Sequence, residues 1–317
     1  MEGRSKHLRR EAKPQQLVCL GTLALFVHVA GCSSHGESPT DTTSANAEVG
    51  ATSVRKHALV FGGAATVDTP QDQFGDIMVQ QVAWLDALGY DTTVLFSDGL
   101  NDIPCQAQAA AQLAQRCGEL PAAFTRENLE AALTDLVERV GAGDEVLIAI
   151  TTHGFACRGW TPPAGSDPNV AGPEAFCLAL GAPRPADNWA EIPFDDLRPW
   201  LDELEAKGAW TGLLVGTCDS GNALRVAGAR TCVTSATGYG TSHRTAFMLS
   251  YLDHVQGGMT LRDAYWAALP YTNGYEQCAM PCPDDPNSIC AECAYYDTPW
   301  LSAEEGLPAD PCDAFVL

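Results

Sequence analysis

Two residues in this chain are of a type, and in a setting, to do covalent chemistry. The apolar run Glu145–Thr151 (EVLIAIT) leads into Thr152-His153-Gly154, and the run Gly212–Gly216 (GLLVG) leads into Thr217-Cys218-Asp219-Ser220-Gly221. Each run is short, aliphatic and bounded by turn residues, the pattern of a buried strand. In an open parallel sheet, reacting groups stand just beyond the carboxyl ends of the strands, so both side chains occupy a catalytic position. A cysteine at a strand-to-helix turn meets the unpaired N–H groups of the helix start, which favour thiolate. A histidine beside it can take the thiol proton and later return it to a leaving amine. The same residues have structural uses too: a strand-ending histidine can simply complete a core, and a cysteine can pack or form half a disulfide.

The hydrophobic pattern supplies elements to position the pair. His57–Gly63 (HALVFGG) and Asp91–Ser97 (DTTVLFS) read as strands. Between them Phe74, Ile77, Met78, Val82, Leu85 and Leu88 recur at three and four, with Gly89 as a helix stop. Thr125 opens a second helix carrying Leu129, Leu133, Leu136, Val137 and Val140, closed by Gly141. A helix near Phe194–Leu204, a fifth strand at Val233–Ala236, and helices from about His243 and Thr260 complete the reading. Continuous apolar strands alternating with helices predict an α/β domain whose mainly parallel sheet is covered on both faces. No fixed-period repeat is present, which excludes solenoids and propellers.

An apolar strand ending in His-Gly, followed by a second ending in Cys-x-Ser-Gly, resembles the caspase–legumain clan of cysteine peptidases, which includes caspases, metacaspases, legumains and gingipains. The order also matches, with His153 before Cys218; papain-like enzymes have the reverse. Ser235-Ala236-Thr237-Gly238-Tyr239 resembles the caspase-type segment that lines the substrate cleft. The resemblance spans roughly Lys56 to Leu269 and implies a three-layer, caspase-hemoglobinase-like fold. It implies Cys218 as nucleophile, His153 as general base, and an oxyanion hole from the N–H groups of Gly154 and Cys218. Ser235, Ala236 and Tyr239 would then lie along the substrate. A glycine at 154 suits this role, because a side chain would obstruct approach to the scissile carbonyl.

The departures concern specificity. Legumains and metacaspases carry an acidic residue two positions before the cysteine, where this chain has Gly216; legumains place an asparagine after the first strand, where it has Gly62-Gly63-Ala64-Ala65. Neither an Asn nor an Arg/Lys preference carries over. Asp219 is a candidate for charge in the substrate pocket, or an acid at a helix start contributing about 0.3–1 kcal/mol. Arg244 is a weak candidate for binding an acidic substrate residue. The chain has no Gly-x-Ser-x-Gly elbow, no Walker loop and no Gly-x-Gly-x-x-Gly at its first helix, which weighs against serine hydrolases, NTPases and dinucleotide enzymes.

The N-terminus reads as an export signal. Arg4, Lys6, Arg9, Arg10 and Lys13 precede an apolar run from Leu17 to Ala30, too short to span a bilayer but suited to a signal peptide. Val29-Ala30-Gly31-Cys32 resembles the lipobox of bacterial lipoproteins, which implies cleavage before Cys32, lipidation of that residue, and, with Ser33 next, sorting to the outer membrane. An ordinary signal peptide is the alternative. The organisation expected is a signal over 1–31, a lipidated cysteine and Ser/Thr-rich tether over 32–55, a peptidase domain over 56–269 and a Cys-rich tail over 270–317.

Thirteen cysteines are present; without Cys19 and Cys32 eleven remain, an odd number in an oxidising compartment, where all but one can pair. Cys157 and Cys177 would close a loop inside a forty-residue, Pro/Gly/Ala-rich insert after His153. Cys105 and Cys117 bracket an Ala/Gln-rich stretch and are a second candidate pair. Cys278, Cys282, Cys290, Cys293 and Cys312 make six with Cys232, which is expected to staple the tail to the sheet. The tail spacing also resembles zinc-binding intervals, and Asp284 and Asp285 are of a type that binds calcium, but outside the cytoplasm disulfides are favoured and no metal or cofactor is expected. The formal charge of −22, with 18 basic and 40 acidic side chains, excludes a nucleic-acid footprint and disfavours an anionic membrane face. The sequence therefore predicts an exported, lipid-anchored cysteine endopeptidase acting on polypeptides. The rival class is a catalytically silent caspase-like domain serving as a surface binding module.

Overall fold

Strands that are apolar on both faces are stable only where both faces are covered. The computed structural model, which describes residues 54–63, 74–96, 104–118, 120–157, 176–180, 190–218, 220–236, 246–269, 300–302 and 310–314, has that arrangement. In chain order the elements are β1 (Lys56–Gly62), α1 (Phe74–Ala87), β2 (Asp91–Phe96), α2 (Pro104–Cys117), β3 (Ala122–Ala123), α3 (Arg126–Arg139) and β4 (Glu145–Thr151). Then come β5 (Gly154–Ala156), β6 (Phe176–Leu180), β7 (Ala190–Pro193), α4 (Arg198–Ala206), β8 (Trp210–Gly216) and β9 (Thr231–Ser235). The last are α5 (Ala246–Gln256), α6 (Leu261–Ala268), β10 (Trp300–Leu301) and α7 (Asp310–Ala314).

The main sheet runs β10-β9-β8-β4-β1-β2-β3; six neighbouring strands are parallel and only β10 is antiparallel, against β9. Alternate strand residues go to opposite layers. Ala58, Val60, Leu147, Ala149, Leu214 and Cys232 pack with α1, α2, α5 and α6 through Met78, Val82, Leu113, Phe247, Tyr251 and Leu261. Leu59, Phe61, Ile148, Ile150, Leu213, Val215 and Val233 pack with α3 and α4 through Leu129, Leu133, Leu136, Leu201 and Leu204. The fold is thus helix–sheet–helix in three layers, each buried aliphatic side chain contributing about 1.5–3 kcal/mol. Helix starts follow local chemistry: Thr125 Oγ1 accepts from the Asn128 N–H at 3.2 Å and Thr260 Oγ1 from that of Asp263 at 3.0 Å, caps worth about 1 kcal/mol each.

The two ends of the sheet differ in kind. At the amino ends of β1 and β4, Arg55 pairs with Asp144 at 2.7 Å and Lys56 with Glu145 at 3.6 Å. Beside them His57 is buried, and burial pulls its pKa down. The carboxyl ends are where the His153 and Cys218 turns lie.

Two disulfides join described residues. Cys232 on β9 bonds Cys312 on α7, a closure of 80 residues worth about 4.5 kcal/mol in the chain-entropy model. With it, β10 and Ser302 join the sheet, the Ser302 hydroxyl accepting from the Val233 N–H at 3.1 Å. Residues 300–302 and 310–314 therefore pack against the sheet, the tie from Cys232 to the tail that the sequence led us to expect. The second bridge, Cys157–Cys177, is the one expected within the insert. That insert is not a plain loop: β5, β6 and β7 form a second, antiparallel sheet within it. A Cys105–Cys117 bridge does not fit, because both residues lie on α2, twelve positions or about 18 Å apart along the helix. Cys278, Cys282, Cys290 and Cys293 lie outside the described residues, as do Cys32 and the whole segment 1–53. No helix among the described residues is long and apolar enough to cross a membrane.

Asp86 on α1 has a carboxylate oxygen buried without a hydrogen-bond partner, and burial pushes its pKa from 3.8 up to about 6, with Arg116 pulling the other way. The fold penalises the ionised form, so the cost is present above pH 6 and fades below it. Asp86→Asn is expected to raise the urea midpoint at pH 8 and to lose that advantage as the pH falls to 4. An equal gain at both pH values would contradict this origin.

Candidate active site

The site begins with a register. β4 and β8 are parallel neighbours paired from Glu145↔Trp210 to Thr151↔Gly216. His153 and Cys218 each stand two residues beyond this last pair, on strands about 4.8 Å apart. Both are half-buried. The two turns meet through main chain. A methyl group built on Gly154 would lie 2.2 Å from the carbonyl oxygen of Cys218, 2.7 Å from Thr217 Oγ1 and 2.8 Å from the Phe176 ring. Glycine is required there by contact rather than by dihedral angle. Thr217 holds the other side of the junction, its hydroxyl donating to the Cys218 carbonyl at 2.9 Å.

The histidine turn is clamped by β6, whose five residues are all buried. The Ala179 N–H donates to the His153 carbonyl at 2.9 Å, and the Thr152 hydroxyl donates to the Ala179 carbonyl at 3.0 Å. The chain then continues as β5, with Gly154 opposite Leu178 and Phe155 opposite Cys177. Antiparallel pairs alternate between hydrogen-bonded and non-hydrogen-bonded. Since His153 and Ala179 share a ladder bond, Gly154 and Leu178 do not, and the Gly154 N–H is directed away from β6. Cys157, just past β5, is bonded to Cys177. On the other side the ring of Phe74, the first residue of α1, stands edge-on to the imidazole, with centroids 4.9 Å apart at 88°.

Beneath the histidine, Thr151 joins three elements. Its hydroxyl donates to Gln81 Oε1 of α1 at 3.3 Å, and its carbonyl accepts from the Gly63 N–H at 2.8 Å. Gly62 has φ +148°, and a Cβ there would lie 1.9 Å from the same carbonyl. After Cys218 the chain enters a 3-10 helix, Ser220–Val226, the helix whose start the sequence placed behind the cysteine.

Of the other residues read from the sequence, Ser235 and Ala236 sit at the carboxyl end of β9, next to β8, with Val215 opposite Ser235 and the Ala236 N–H donating to the Val215 carbonyl at 2.9 Å. Both are fully buried, so their side chains do not form an open cleft wall. Asp219, Tyr239 and Arg244 lie outside the described residues. Sequence reasoning placed Phe74 only in the core and did not single out Thr152, Ala179, Thr217 or Gln81. Their signal was weak: one hydroxyl beside each turn, and a glutamine on an otherwise apolar helix face. Among the described residues no group of three or more His, Cys, Asp or Glu side chains is arranged to hold a metal ion.

No protein-family model matches the chain, and no curated protein matches it. Among solved structures it is similar to the crystal structure of protein GSU0716 from Geobacter sulfurreducens, at 14% identity and a TM-score of 0.44, over 78% of this chain and 92% of that one.

The close approach at Gly154 has a direct consequence. Gly154→Ala is expected to destabilise the fold by about 1–3 kcal/mol, because one turn has to move off the other. Urea denaturation measures it, and a loss below about 0.5 kcal/mol would show the junction to be loose.

Proposed function

We propose that this chain is a cysteine endopeptidase of caspase–legumain type, exported and tethered to the envelope through Cys32, with polypeptides as substrates. The observation that carries the reading is the junction itself: adjacent parallel strands lead into His153-Gly154 and Thr217-Cys218, and only a glycine at 154 lets the two turns touch. The three-layer sheet supports it, as does the histidine-before-cysteine order. The two disulfides are compatible with an extracytoplasmic location.

In this reading His153 removes the proton from Cys218, and the thiolate sulfur attacks the scissile carbonyl carbon. The carbonyl oxygen, now negative, is received by the Gly154 N–H, which the β5–β6 register leaves out of the ladder, and by the Cys218 N–H. Collapse breaks the C–N bond, and His153 passes its proton to the departing amine. Water, deprotonated by His153, then hydrolyses the thioester and regenerates the thiol.

The test is cleavage of a denatured proteome by the full chain in detergent, with new termini read by mass spectrometry, beside Cys218→Ala and His153→Ala. Cleavage is expected to vanish with Cys218→Ala and to fall on the order of 10²–10⁴-fold with His153→Ala. Identical termini from the intact chain and Cys218→Ala would reject the enzyme and leave the surface binding module.

A further inference from the structure

The histidine half of the site is fastened by a bond that depends on redox conditions. His153 is followed at once by β5, and β5 is held on β6 by a three-residue ladder and by the Cys157–Cys177 disulfide at its end. A ladder of that length is weak alone. The same β6 supplies both Ala179 contacts to the histidine turn, at 2.9 and 3.0 Å. The Gly154 contact with the Cys218 carbonyl also lies between the clamp and the bridge. Whatever fixes β5 against β6 therefore fixes the imidazole and the Gly154 N–H relative to Cys218.

The two disulfides differ in access. Cys232 and Cys312 are both fully buried, whereas Cys157 is half-buried and only its partner Cys177 is fully buried. Thiol–disulfide exchange requires a thiolate to reach a sulfur, so a reductant in solution opens Cys157–Cys177 first.

We propose that the Cys157–Cys177 disulfide is a redox-dependent strut for the catalytic histidine, so that the site becomes competent only in an oxidising compartment. The inference rests on the peptidase reading of His153 and Cys218. While both cysteines are thiols, as they are in a reducing cytoplasm, the His153–Gly154 segment is held by the short ladder and the Ala179 contacts alone, and the site works poorly where the chain is made. After export, the Cys157 thiolate attacks an external disulfide, such as that of a periplasmic-type oxidoreductase, and releases one of its thiols. The Cys177 thiolate then displaces the second. Two protein thiols lose two electrons and two protons, and the external disulfide becomes a dithiol.

The test uses the full chain in detergent and the double variant Cys157→Ser/Cys177→Ala, which leaves Cys218 untouched. The variant is expected to lose kcat on the order of 10²-fold, the scale for ångström misplacement of a catalytic group, with KM changed less than about twofold. The pH profile of Cys218 alkylation by iodoacetamide reads the histidine without needing turnover: its low-pH, His153-dependent limb is expected to disappear in the variant. Wild-type kcat and an unchanged alkylation profile in the folded variant would overturn the strut. An alkylation profile in the unmutated chain that His153→Ala leaves unchanged would instead overturn the dyad, and the strut with it. If the variant does not fold, the unmutated chain is titrated with a dithiol while mass spectrometry follows each bridge. Activity is expected to fall in step with opening of Cys157–Cys177, before Cys232–Cys312 opens; constant activity through that opening would overturn the proposal.

Discussion

The parallel pairing of β4 with β8 is the constraint on which the rest of the molecule depends. Side chains alternate faces with a period of two, so a slip of one residue would turn Ile148 and Ile150 from one helix layer to the other and move their strand by about 3.3 Å. The same slip would separate the two turns at the carboxyl end. The register is held by burial along its whole length: on both strands every residue after the first is buried. The core therefore measures out the site, and the precision of the junction between Gly154 and Cys218 is inherited from aliphatic packing beneath it.

Above that register the site is built more from backbone than from side chains. Gly62 presses on the Thr151 carbonyl and Gly154 on the Cys218 carbonyl, while a Cβ on Gly216 would come within 3.2 Å of the Ile150 carbonyl and 3.5 Å of Met248. This gives a physical account of the departure at 216. A side chain placed there would need the Ile150 carbonyl to give by a few tenths of an ångström, so an acidic residue at 216 would be crowded against β4.

Much of this was legible in the sequence where an element is long enough to have a period. The five core strands, the helices opened by Thr125 and Thr260, and the positions of His153 and Cys218 at strand ends all follow from runs of four or more residues with turn signals at their edges. The small elements were not. β3 and β10 have two residues each, too few for any alternation to register. The run Phe176–Leu180 is as apolar as a core strand, but it sits in a Pro/Gly-rich insert, and its partners β5 and β7 are fixed by tertiary contacts that composition does not encode. Cysteine spacing succeeded for Cys157–Cys177 and for the tie from Cys232 to the tail. It failed for Cys105 and Cys117, where the helix between them keeps their backbones apart. Nor does sequence distinguish a 3-10 helix after Cys218 from an α-helix, since both begin with the same small and polar residues.

The Cys232–Cys312 bridge makes a covalent ring of the segment that carries α5, α6 and β10. A peptide bond broken anywhere within that ring yields two polypeptides but still one molecule, with both ends of the break held to the same sheet. Nicking in this segment is a change of connectivity rather than a loss of mass. The fragments would part only when the bridge is opened, and its two sulfurs lie in the core, out of solvent's reach.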